Sequence, residues 1–126
     1  MPDETLPPRP MRALAYGRIA LGLAALAAPR RSARLARVHP TPELTYMTRI
    51  YGARALALGL GYLTASPTDR PRWHHLALMV DALDTTTGGT ELTRGTLPRG
   101  LAAGFTGLTG AYLAVGAFQL AGARRG

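Results

Sequence analysis

The chain has no cysteine and no lysine, and it is poor in acids and aromatic residues. Without cysteine there are no disulfide frameworks, no thiolate nucleophiles and no Cys-based metal sites. Val and Ile are scarce and nothing alternates for long, so strands are not the organising element. Aromatic residues make up 6% of the chain, while Gly and Ala abound. A soluble four-helix bundle with so few large side chains would struggle to fill its interior. Helices whose backbones pack closely, as they do in lipid, are suited by small residues.

Because lysine is absent, all 15 basic residues are Arg, and the formal charge is +8. Lysine-free basicity points to a GC-rich genome more than to a selected binding surface. The Arg residues are spread over every connector and form no single face, as flanking charges on membrane helices do where they meet anionic headgroups. The expected partners are therefore membrane lipids, and nucleic acid is not expected. A mean hydropathy of +0.04 conceals a segregated pattern of apolar segments between Arg clusters.

With 126 residues there is room for one domain. Residues 1–10, with four prolines and two acids, read as a flexible tail, and 11–126 as a single helical membrane domain. The first apolar segment runs from Met11 to Ala28, where Pro29 ends it. It resembles a signal peptide only loosely, since Asp3 and Glu4 precede it and Arg30-Arg31 follow, so retention is expected. After a basic connector, Thr41 or Thr45 is placed to cap a helix over Tyr46–Thr64. Pro71 suits the first turn of a third helix, Arg72–Thr87, with Gly88-Gly89 as its stop. The last segment, Leu101–Ala123, has no charge, and at ~1.5 Å per residue it spans a ~30 Å hydrocarbon core. The expected fold is all-α, a four-helix transmembrane bundle at the cell membrane.

Ionisable residues inside apolar segments are costly and normally have a partner or a use. Arg18, Arg54, Asp81 and Asp84 meet this description. Counting helix rise from the face that holds the N-terminus, they fall roughly 10, 15, 12 and 16 Å deep. Two cations and two anions thus lie at matching depth, which predicts the pairs Arg18–Asp81 and Arg54–Asp84. His74 shares the face of both acids, and Tyr51 and Tyr62 are placed to hydrogen-bond around the site.

Three uses follow from such a site. Buried Arg–Asp pairs fix the register of a small bundle, as in a structural or accessory subunit. Alternatively, Arg18 and Arg54, with Tyr51 and Tyr62, bind a carboxylate, phosphate or quinone oxygen of a small lipid-like or isoprenoid ligand. In the third, Asp81, Asp84 and His74 carry out acid–base chemistry on an isoprenoid- or epoxide-like substrate inside the membrane. No cofactor is expected. Nor is a metal, because His74 and His75 point ~100° apart on a helix; beside Arg72 and Trp73 they read as an interfacial anchor. Thr85-Thr86-Thr87 can return its hydroxyls to preceding carbonyls. On the last helix, Thr106/Gly110/Ala114 and Ala103/Gly107/Ala111 form small-residue stripes, for internal packing first and for a homo-oligomer or larger membrane complex second.

Tyr51-Gly52-Ala53-Arg54 through Gly59-Leu60-Gly61-Tyr62, followed by Leu78-Met79-Val80-Asp81-Ala82-Leu83-Asp84, resembles small four-helix membrane families of actinobacteria, domains of unknown function whose layout is DoxX-like. The resemblance covers the last three helices. It implies a four-helix membrane fold with Arg on the second helix and an acid on the third, and it implies no activity. Six Arg residues flank one face and seven the other, so the positive-inside rule assigns no orientation.

Overall fold

The computed structural model describes residues 6–125, with side chains as far as Gly122. Half of the expected N-terminal tail, residues 1–5, lies outside the described residues. The remainder is more ordered than its composition suggests: Pro7 is buried and Arg9 already begins a helix.

The described residues form five helices and no strand: α1 (Arg9–Ala27), α2 (Pro29–Leu35), α3 (Pro42–Thr64), α4 (Arg70–Arg94) and α5 (Arg99–Arg125). The expected count of four is corrected by α2, which occupies the basic connector. Pro29 cannot continue α1, and the chain turns by 111° there before a further seven residues coil. Arg37, in the left-handed conformation (φ 60°), closes α2, with the Val38 amide donating to the Ala33 carbonyl at 2.9 Å.

α3 starts at Pro42, earlier than expected, because Thr41 caps it: its hydroxyl accepts from the Leu44 amide at 3.1 Å. α4 runs past its expected stop. Gly88 is a site of close approach, buried against Thr106 of α5, and the actual terminator is Gly95 (φ 69°).

Two antiparallel hairpins emerge, α1 against α3 and α4 against α5, joined by the short turn 65–69. Buried residues of α1 recur at helical spacing, Met11, Ala15, Arg18, Gly22 and Ala25, and they meet Gly52, Ala55, Leu58, Gly59 and Tyr62 of α3. Backbones nearly touch here. A Cβ on Gly22 would lie 2.7 Å from the Gly52 carbonyl oxygen and 2.8 Å from the Leu56 amide nitrogen. The apolar core is small, made mainly of alanines plus Met11, Leu58 and Tyr62.

The large apolar side chains point outward instead. Leu23, Ile50, Leu60, Met79, Leu83, Val115 and Phe118 are all exposed. Among the described residues one helix, over Arg99–Gly122, is long and apolar enough to cross a membrane. Only 17% of its most apolar window is buried, unlike the core helix of a soluble protein. The α1–α2 pair meets the same measure as a bent unit, whereas α3 and α4 do not.

Adding a methyl group at Gly22 must push backbone apart. Gly22→Ala is expected to lower stability by ~1–3 kcal/mol. Gly89→Ala, with open space around it, should be neutral or stabilising by up to ~1 kcal/mol. Unfolding in detergent micelles compares the two; equal effects would remove the close α1–α3 contact as a source of stability.

Candidate functional site

The hairpins meet through charge. Arg18 of α1 donates through both terminal nitrogens to Asp81 of α4, Nη1 to Oδ1 at 3.0 Å and Nη2 to Oδ2. This bidentate geometry is the strongest that an Arg–carboxylate pair adopts. Both side chains are buried, with 11% and 4% of their surfaces exposed. The guanidinium also lies over Tyr112 of α5, 4.7 Å from the ring centre.

A second pair sits one turn along α4. Arg54 Nη2 of α3 donates to Asp84 Oδ2 at 2.7 Å. Here the environment differs: 42% of the Arg54 side chain is exposed, against 17% for Asp84. Both pairs match the partners expected from depth counting, because helical rise fixes the relative height of the side chains.

Not every expected site residue gathers at this centre. Tyr51 does, with Arg54 5.5 Å from its ring centre. Tyr62 does not. It lies in the apolar core with Met11 and Ala15, packed by Leu14, Leu63 and Trp73, because eleven residues of helix carry it away from Tyr51. His74 shares the face of the acids but is committed elsewhere, its Nε2–H donating to the Gly116 carbonyl of α5 at 2.8 Å. His75 points away, its Nδ1–H donating to the Pro71 carbonyl at 2.7 Å. No group of three or more His, Asp or Glu able to hold a metal occurs among the described residues.

The threonines divide their roles. Thr86 donates back to the Ala82 carbonyl at 2.8 Å, as expected, but Thr85 crosses to Thr109 of α5 at 3.0 Å. The two small-residue stripes also divide: Thr106 and Gly110 face α4, whereas Ala103, Gly107 and Ala111 are exposed.

Sequence reasoning missed the α5 residues of the site. Ala102, Phe105, Thr109, Tyr112 and Gly116 recur at spacings of three and four, the signature of one inward face. Phe105 meets Tyr51 edge to face, with ring centres 5.7 Å apart.

Beside Arg54 the helices part. α3, α4 and α5 enclose a groove of about 450 Å³, within the range of small-molecule sites. Met47, Ile50, Leu101 and Phe105 form its apolar walls, and Tyr51, Arg54 and Asp84 its polar inner end. Around the two ion pairs themselves only about 20 Å³ is open, space for a water molecule at most. The groove can thus admit a ligand to Arg54, while Arg18 and Asp81 remain sealed.

No family model, curated protein or solved structure matches the chain.

Removing Arg18 would strand a buried carboxylate, so Arg18→Leu is expected to cost ~3–5 kcal/mol, with Arg18→Leu/Asp81→Leu recovering most of it. Arg54→Leu, at a half-exposed pair, should cost ~1 kcal/mol or less. Reversible unfolding in micelles measures all three. An Arg18→Leu variant as stable as the parent would show that the buried pair contributes nothing.

Proposed function

We propose that the chain is a small multi-pass protein of the cell membrane, and that its α3–α4–α5 groove binds a small lipid-like ligand through Arg54. The observation that carries this reading is the distribution of side chains. Charged Arg18 and Asp81 lie inside, while Leu23, Ile50, Leu60, Met79, Leu83 and Phe118 lie outside. In water, exposing that much apolar surface forgoes ~25 cal/mol per Å²; in hydrocarbon it costs nothing. Pairing also removes the objection to α3 and α4 as spans. Their internal charges, Arg54, Asp81 and Asp84, are matched by partners across the hairpins, so their outward faces are more apolar than their compositions. On this reading α1, α3, α4 and α5 cross the bilayer, and α2 lies where Pro29 turns the chain.

The groove supplies what a lipid-like ligand needs, an apolar channel ending in a charged donor with one partner already in place. Acid–base catalysis by Asp81, Asp84 and His74 draws less support. Asp81 is clasped by Arg18, and His74 is engaged with Gly116, which leaves Asp84 alone at the groove. An accessory role in a larger membrane complex is the second reading, favoured by the exposed Ala103/Gly107/Ala111 stripe on α5.

The protein is expected to resist carbonate extraction and to require detergent. Apolar molecules should co-purify with it and be detected by native mass spectrometry, and Met47→Trp, which fills the groove, should displace them. A monodisperse protein in plain buffer would refute the membrane assignment. Apolar ligand retained equally by Met47→Trp would refute the groove.

A further inference from the structure

The charge balance of the groove narrows what can reach its inner end. Three charged side chains line it: Arg54, Asp84 and Glu91. Arg54 is already neutralised by Asp84 at 2.7 Å, and Glu91, whose carboxylate accepts from the Thr96 hydroxyl, adds a negative charge with no ion pair among the described residues. The lining therefore carries a net charge of −1, from one cation and two anions. The nearby Arg18–Asp81 pair is closed and adds nothing. An anionic head would meet repulsion with no surplus cation to offset it. A cationic head is drawn to Glu91 and repelled by the guanidinium at the inner end, so it does not reach Arg54. A neutral head avoids both penalties.

A neutral head must nevertheless satisfy Arg54. The bond to Asp84 uses one N–H of the guanidinium fork, and 42% of the side chain remains exposed. The remaining N–H groups donate only, so the partner must be an acceptor such as a carbonyl oxygen. Beside it stand two aromatic rings, Tyr51 and Phe105, edge to face at 5.7 Å and 66°. Such a wall favours a flat ring at the inner end. Met47, Ile50, Leu97 and Leu101 give the rest of the groove an apolar wall, with Thr48, Thr87 and Glu91 as its polar members.

From these observations we infer that the ligand is a neutral planar ring bearing carbonyl oxygens and an apolar tail, of quinone type. Its carbonyl accepts from Arg54, its ring lies against Tyr51 and Phe105, and its tail follows Met47 and Leu101. The inference rests on the lipid-like reading of the groove and specifies its head group. Asp84 holds the guanidinium in place and keeps the inner end neutral overall, which makes it a positioning residue.

Binding to the detergent-solubilised full chain is measured by calorimetry with four probes that share one isoprenoid tail. They are a benzoquinone, its dimethoxybenzene analogue without carbonyls, a carboxylate and an amine. The benzoquinone is expected to bind at least ~10-fold more tightly than each of the others, ~1.4 kcal/mol. Arg54→Leu/Asp84→Leu, which strands no charge, should abolish the preference over the dimethoxybenzene while retaining tail binding. Phe105→Ala should weaken both ring probes more than it weakens the carboxylate and the amine. Equal binding of benzoquinone and dimethoxybenzene, or tighter binding of the carboxylate or amine, would overturn the inference and leave the lipid-like reading standing. Binding of no probe would overturn both.

Discussion

Arg18 and Asp81 hold together two halves that otherwise touch lightly. Each hairpin has its own adhesive, glycine-mediated backbone contact between α1 and α3 and threonine and histidine hydrogen bonds between α4 and α5. Between the hairpins the packing is sparse, and the principal polar links are the two ion pairs, with Tyr112 beneath Arg18 and Phe105 against Tyr51. A buried pair of this kind adds little net stability compared with well-packed apolar residues, but it is exacting about geometry. A shift of one turn along α4 would bring only one acid opposite an Arg and strand the other. The pairs thus fix the relative height of the hairpins more than they hold them by strength.

That division of labour follows from composition. A chain with 15 glycines and few large side chains gains close backbone approach but forms little apolar core. Its stability depends on dispersion between neighbouring helices and on the surroundings of its outer face. Where the helices diverge, no bulky residue fills the gap, and the groove beside Arg54 is the result. The same smallness that packs α1 on α3 so tightly leaves α3 apart from the α4–α5 hairpin at the other side.

Much of this was readable beforehand, and the reason differs by element. Helical rise is uniform, so the depths of Arg18, Arg54, Asp81 and Asp84 could be counted, and the pairing followed. Helix ends were harder. Gly88-Gly89 has the composition of a stop, yet Gly88 serves tertiary contact with Thr106, and only the partner helix reveals that. α2 was hidden because an Arg-rich stretch after proline reads equally as loop or helix. Tyr62 lies about three turns of helix beyond Tyr51, a distance in depth that sends it into the core and away from the charges. Tyr112 and Phe105 are masked by the small residues around them, although their spacing marks the inward face of α5.

The separation of the partners in sequence has a consequence for synthesis. Arg18 is made 63 residues before Asp81. The first hairpin, α1 to α3, is complete and can close on its glycines while its guanidinium still awaits an acid. Chain order thus makes Arg18 a cation in search of a counter-ion while the next 63 residues are made. The arrival of α4 ends that interval, and a nascent chain stalled before Asp81 would present an unneutralised charge within its most compact segment.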